Sequence, residues 1–305
     1  MFKHVTLIGL GLIGSSLAHA VKRHNLAERI TGYDISESVR KRAAELELAA
    51  IASTPAEAVK DADLVILCSP VGSYKELAAA IAPHLVPGAI LSDVGSVKSA
   101  VIRDVAPFLP QGVNFLPAHP IAGTEQSGPD AGFASLFEHR WCIITPAAGA
   151  DAGALAKLKT FWETCGSQVE VMDAAHHDLV LAMTSHVPHL IAYNIVGTAH
   201  DLEKVTEGEV IKFSAGGFRD FTRIAASDPT MWRDVFLNNR EAVLEVLQRF
   251  TEDLTALQRA VRDGNGQLLF DLFTRTRAIR RSIVDIGQDS AAPNFGRDRS
   301  DGQEK

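Results

Sequence analysis

The stretch that most constrains this chain is Val5-Thr6-Leu7-Ile8-Gly9-Leu10-Gly11-Leu12-Ile13-Gly14. Val5 to Ile8 is an apolar run of the kind buried on both faces of a parallel sheet, and Ser15 to Arg23 reads as the helix that follows. Between them lies a G-x-G-x-x-G turn. Gly9 permits the tight turn, Gly11 lets backbone approach a pyrophosphate, and Gly14 lets helix and strand pack closely, with Leu12 and Ile13 in the same loop. The helix start offers unpaired N–H groups and a partial positive charge to phosphates. Ile30 to Asp34 reads as a second strand, and Asp34 lies twenty residues beyond Gly14. A carboxylate there accepts hydrogen bonds from ribose hydroxyls and repels a 2′-phosphate, so NAD is favoured over NADP. A strand–turn–helix without a ligand is the weaker alternative, because a glycine-rich turn alone does not require that carboxylate.

With 305 residues the chain has room for two domains and a sizeable core. A formal charge of −7 gives no basic patch for nucleic acid or an anionic membrane surface. No apolar run is expected to reach the roughly 18 residues needed to span a bilayer. Met1-Phe2-Lys3-His4 enters the first strand at once, which leaves no space for a signal peptide and points to a cytoplasmic address. Cys68, Cys142 and Cys165 follow no metal or disulfide spacing and read as reduced packing residues.

Strand and helix alternate through the first half. Asp63 to Ser69 is a buried strand closed by Pro70, so Ser69, Pro70 and Val71 are placed along the cofactor at its carboxyl end. Ala89 to Asp93 is another strand, ending in Val94-Gly95-Ser96-Val97-Lys98 before a helix at Ser99. Gly95 is counted with the cofactor site. Val113 to Pro117, Trp141 to Thr145 and Gln168 to Met172 complete the strand signals. The alternation predicts an α/β, Rossmann-like doubly wound parallel sheet over residues 1–173. Residues 174–287 read as all-helical. His176 to His200 is an apolar segment bent at Pro188, and Ser227-Asp228-Pro229 is a helix start. Phe236, Val243, Leu247, Phe250, Leu254, Leu257 and Val261 form one stripe on the helix that follows, up to Gly264-Asn265-Gly266. A long striped helix in a small helical domain calls for a partner, which predicts a homodimer. Residues 288–305 are polar and predicted to be disordered.

A nicotinamide site needs a base near the same sheet edge for the proton that leaves as hydride departs. His119 follows a strand end and is held by Pro120, which suits either a base or loop packing. Ser96 ends a strand at a helix start and can donate or relay a hydrogen bond. In Ser185-His186-Val187-Pro188-His189 the two histidines lie about one helical turn apart. No nearby Asp, Glu or Cys completes a metal site, so substrate contact by one and packing by the other is preferred. Arg223 is a candidate fork for a carboxylate, with Arg219 as competitor and a surface ion pair with Asp220 or Asp228 as the alternative for either.

Five motifs in order then give a family resemblance: Gly9 to Gly14; Asp93-Val-Gly-Ser96-Val-Lys98; His119-Pro-Ile-Ala-Gly-Thr124-Glu125; His177-Asp178 with Ser185 to His189; and Gly216 to Arg223 with Trp232. Over roughly residues 3–287 the chain resembles the prephenate/arogenate dehydrogenases. The resemblance implies oxidative decarboxylation of prephenate to 4-hydroxyphenylpyruvate, or of arogenate to tyrosine, with a nucleotide domain followed by a helical dimerisation domain. It implies that His119 assists deprotonation of the ring hydroxyl and that Ser96 supports the same hydroxyl. It further implies that Arg223 binds substrate carboxylate, that His189 lines the pocket, and that Thr124 and Glu125 lie at its rim. Two rivals are a β-hydroxyacid dehydrogenase, which would want a catalytic lysine where Lys204 and Lys212 sit in no such motif, and a non-catalytic NAD sensor.

Overall fold

A computed structural model describes residues 1–124, 126–203 and 209–285. The tail expected to be disordered, 288–305, lies outside the described residues, as does Glu125.

The first half builds strand by strand. The elements are β1 (Phe2–Ile8), α1 (Leu12–Arg23), β2 (Ala27–Tyr33), α2 (Glu37–Glu45), β3 (Ala50–Ile51), the single turn α3 (Pro55–Ala58) and β4 (Leu64–Leu67). There follow α4 (Tyr74–Ile81), β5 (Ile90–Asp93), α5 (Ser99–Val105) and β6 (Asn114–Phe115). The six strands form one sheet in the order β3-β2-β1-β4-β5-β6, every neighbouring pair parallel. The strand order reverses between β1 and β4, and the crevice outside their carboxyl ends is where such sheets bind ligands. Alternate residues of β4 feed opposite layers, as the pleat requires. Leu64 and Ile66 join Leu7, Leu17, Phe161 and Trp162 on one side, while Val65 and Leu67 join Ile8, Tyr74 and Val101 on the other.

Two expected strands belong elsewhere. β7 (Ala118–Pro120), β8 (Trp141–Ile144) and β9 (Gln168–Val171), with α6 (Ala152–Thr164) between the last two, make a separate three-stranded sheet. In it β7 and β8 run antiparallel and β8 and β9 parallel. An apolar run announces a strand but not its partner, so the local pattern assigns Trp141 to Thr145 and Gln168 to Met172 to the wrong sheet. His119 is correspondingly inside a strand, opposite Ile143, rather than in a loop after one.

Past β9 the chain is helical: α7 (Ala174–Leu181), a π-helical turn (Ala182–His186), α8 (Val187–Glu203), α9 (Glu209–Lys212), α10 (Gly216–Thr222) and α11 (Pro229–Asn238). The last two are α12 (Arg240–Arg262) and α13 (Gly266–Asp285). Asp228 caps α11 by accepting from the Met231 N–H at 2.8 Å, with Pro229 in the first turn. Gly216 and Gly217 open α10. The expected single striped helix is two, because the chain breaks at Asn239, whose side chain is buried and used by the site below. The helical run Ala174–Leu202 reaches a mean hydropathy of 1.3 over 18 residues, long and apolar enough by composition to cross a membrane. This corrects the expectation that no run is. Its His177, Asp178 and His186 are buried in protein, with Asp178 accepting from the α5 start, while Leu179, Met183, Ile195, Val196 and Leu202 are exposed. By its internal packing the chain divides into two compact units, Met1–Val246 and the part from Leu247 onward. In the second unit α13 and the end of α12 expose Leu254, Val261, Leu268, Phe270, Phe273 and Ile279.

Candidate active site

Three loops meet at the carboxyl ends of β1, β4 and β5, whose last residues are in register as Ile8, Leu67 and Asp93. The glycines set how closely they meet. Gly9, at φ +103°, would place a Cβ 2.6 Å from the Cys68 carbonyl carbon and the Ser69 nitrogen, and a Cβ on Gly14 would overlap the Gly9 carbonyl oxygen. A Cβ on Gly95 would come 2.8 Å from Val71 Cγ2. Gly11 differs: a Cβ there meets nothing within 4 Å. Gly11 also precedes α1, which has no side-chain cap and no acidic residue in its first turn, while Leu12 and Ile13 form that turn. Backbone N–H groups at this end are therefore available to an anion beside open space. The cradle fits a dinucleotide pyrophosphate.

Asp34 ends the β2 side of the crevice. Its Oδ2 accepts from the Leu10 N–H at 2.9 Å and its Oδ1 from the Ser36 N–H at 2.9 Å. Each oxygen retains a lone pair, so the carboxylate shapes the glycine turn and can still accept from a ribose. Arg40 Nη1 donates to the Asp34 carbonyl at 2.6 Å. On the β4 side, the Ser69 hydroxyl pairs with that of Ser73 at 2.8 Å, Pro70 is exposed, and Val71 is buried beneath them.

Beneath Ser96 lies an ion pair, Asp93 with Lys98, both side chains fully buried. Asp93 also accepts from the Gly95 N–H at 2.8 Å and the Ala118 N–H at 3.2 Å, and Lys98 Nζ donates to the Ala118 carbonyl at 2.7 Å. This pins the Ser96 loop to β7 and so to His119, which is 8% exposed. Burial, with the neighbouring His177, Lys98 and His186, holds the His119 imidazole well below its ordinary pKa, so it is neutral at pH 7. Its Nδ1 lies 2.9 Å from Nε2 of His177, whose Nδ1 lies 2.9 Å from Asp178 Oδ1.

The helices supply the opposite wall. Asn239 Nδ2 donates to the Asp178 carbonyl at 2.8 Å and to His186 Nδ1 at 3.0 Å. The amide nitrogen only donates, so the His186 hydrogen is on Nε2. Burial pushes His186 down to about 4. His189 lies on the face it shares with His186. Its ring stacks on Trp232 at 3.6 Å between centroids, and His186 meets the same indole edge-on at 6.1 Å. His189 Nδ1 donates to the Ser185 carbonyl at 2.8 Å, which leaves Nε2 as the acceptor. The π-helical turn follows from Pro188, which has no N–H to continue the α-helical ladder. Arg223, in a short helical turn at 223–226, is close enough to His189 to depress its basicity, after burial. Arg219 instead leans on Asp220 at 3.7 Å on the surface. Thr124 is exposed on the loop after β7, its hydroxyl accepting from the Gln126 N–H.

Contacts through His177, Asp178, Asn239, His186 and Trp232 thus link His119 to His189, with Arg223 near His189, Ser96 on the loop tied to β7, and Thr124 on the loop after it. The roles of His177, Asp178, Lys98 and Asn239 are invisible residue by residue. The adjacent His177-Asp178 pair was a signal, whereas nothing local distinguishes Asn239. The three cysteines are free, and burial raises every thiol, Cys165 to about 12.

Fold and site together define a dehydrogenase-type protein, a dinucleotide cradle facing a buried neutral imidazole. The family model of the prephenate dehydrogenase nucleotide-binding domain matches residues 17–171, and that of the prephenate dehydrogenase dimerization domain matches residues 173–275. A cyclohexadienyl dehydrogenase from Zymomonas mobilis is 44% identical over 93% of this chain and 97% of its own. The crystal structure of Aquifex aeolicus prephenate dehydrogenase with hydroxyphenyl propionate and NAD+ superposes with a TM-score of 0.85 at 34% identity, covering 93% of this chain and 99% of that one. Synechocystis arogenate dehydrogenase gives 0.76 at 26%, covering 92% and 99%. The chain belongs to the prephenate dehydrogenase family.

Proposed function

We propose that this chain catalyses the NAD-dependent oxidative decarboxylation of prephenate, arogenate or both, residues 1–173 holding the nucleotide and 174–287 completing the substrate site and the dimer. One observation carries the reading: buried His119 is tied, through the bonds of Asp93 and Lys98 to Ala118, to the carboxyl end of β5 beside the glycine turn. Bound NAD supplies the hydride acceptor. His119 takes the proton of the ring hydroxyl, with Ser96 holding the same oxygen; the O–H electron pair forms the C–O double bond as the hydride on that carbon departs, and the pair left behind by the leaving carbon dioxide enters the ring, which becomes aromatic. No group is needed to stabilise a free carbanion. Arg223 pairs with a substrate carboxylate, His189 accepts from the substrate on the Trp232 side, and Thr124 with Glu125 borders the entrance. Gly9, Gly11, Leu12, Ile13 and Gly14 receive the pyrophosphate, Asp34 the adenosine ribose, and Ser69, Pro70, Val71 and Gly95 the remainder of the cofactor. The apolar side chains exposed on α12 and α13 suit a second copy of the chain.

The test is NADH formation by purified protein with prephenate and, separately, arogenate. Turnover with either establishes the reaction and ranks the two side chains. Absence of turnover with both, despite NAD binding, would overturn it in favour of a nucleotide-sensing protein.

A further inference from the structure

A neutral imidazole has two tautomers, and only the one with a bare Nε2 can take a proton at that nitrogen. Asp178 decides which one His119 adopts. Its carboxylate accepts the Lys98 N–H at 2.7 Å and the Ser99 N–H at 2.8 Å where α5 begins. Burial alone would raise its pKa, but the hydrogen bonds from His177, Ser99 and Lys98 win and hold the carboxyl below its ordinary value. An ionised carboxylate has no proton to donate, so the hydrogen in its 2.9 Å contact with His177 belongs to His177 Nδ1. Neutral His177 then has a bare Nε2. Across the next 2.9 Å contact, His119 Nδ1 must be the donor, and its own Nε2 is left bare. Two buried rings in edge-on contact, 5.1 Å between centroids, leave no slack for either to flip.

We infer that Asp178 and His177 are positioning residues that fix His119 in the Nδ1–H tautomer, so that Nε2 is the base. When substrate O–H breaks and N–H forms at Nε2, the hydrogen at Nδ1 stays on His119. The new cation is then braced through His177 by the Asp178 carboxylate. The identity of the proton taken rests on the dehydrogenase reading, but the tautomer does not.

The experiment is the long-range proton–nitrogen NMR correlation of the NAD-bound, full-length protein labelled with ¹⁵N-histidine. The His119 signals are assigned by their loss in His119→Asn. The wild type is expected to show His119 protonated at Nδ1 only, and a wild-type Nε2–H signal would overturn the proposal without any variant having to fold. In His177→Leu the Nε2–H form should appear, with kcat reduced about a hundredfold or more and substrate KM changed by less than about threefold. His177→Gln, whose amide oxygen can still accept from Nδ1–H, should recover both the tautomer and most of kcat. A folded His177→Leu protein with an unchanged His119 pattern and unchanged kcat would equally overturn it. Should the wild type show the Nδ1–H pattern but no turnover, the function fails while the tautomer relay stands.

Discussion

At the scale of single residues, the site contrasts a charged pair kept dry with histidines kept neutral. Lys98 and Asp93 are both fully buried, and each also bonds to backbone around Ala118. Removing one charge strands the other, which costs about 3–5 kcal/mol in such pairs. Lys98→Met is therefore expected to lower the urea midpoint sharply, and a midpoint within error of the wild type would contradict the pairing. His119→Asn should leave the fold and NAD affinity intact while lowering turnover by about a hundred- to ten-thousand-fold, measured as NADH formation beside a fluorescence titration of NAD. Ser96 stands out as a single letter at a strand end and Arg223 as a carboxylate fork, and His119 stands out too, although the strand end expected before it is a strand that contains it. Asn239 could not, since its two hydrogen bonds reach Asp178 and His186, 61 and 53 residues away.

Among elements, the glycine turn shows how one spacing contains two different demands. Gly14→Ala puts a methyl group into the Gly9 carbonyl, whereas Gly11→Ala puts one into open space. Both should weaken NAD, but only Gly14→Ala should lower the thermal midpoint. Calorimetry in the absence of nucleotide separates the cases, and a Gly11→Ala protein as unstable as Gly14→Ala would refute the distinction. β1, β4 and β5 were legible because burial on both faces writes a continuous apolar run, and β2 and β6 overlap expected strands, whereas β3 has only two residues and writes no pattern. β8 and β9 were legible as strands and misplaced as a sheet, and β7 was not legible as a strand at all, because pairing is decided by where the chain turns after Phe115. The π-helical turn was half legible: Pro188 marked a disturbance but not its form. That turn places an extra residue before His186, and without it α8 would be rotated by about 100°, parting His189 from Trp232.

For the whole molecule, the buried histidines make acid sensitivity a property of the fold. His119, His177, His186 and His189 are all pushed below their ordinary value, by burial first. An unfolded chain takes up protons below about pH 6.5 that the native state refuses, so stability is full above that pH and falls as the pH drops. Asp178, held low, works in the same direction at lower pH, while Asp93, raised by burial, partly opposes it. The urea midpoint is expected to fall between pH 7 and pH 5, and a rise would show the rings to be charged in the native state. A second whole-molecule expectation concerns assembly. Phe270 and Phe273, 66% and 56% exposed, are expected to lie in the contact between copies. Phe270→Glu with Phe273→Glu should give a monomer by light scattering where the parent is a dimer. His119 lies in the stretch matched by the nucleotide-binding model and His177 and Asp178 in that matched by the dimerization model, so the contacts from Asp178 through His177 to His119 join the two stretches within the first compact unit. A chain split after β9 would leave His119 without the His177–Asp178 contacts that we infer set its tautomer, so turnover is expected to depend on the second piece docking onto the first.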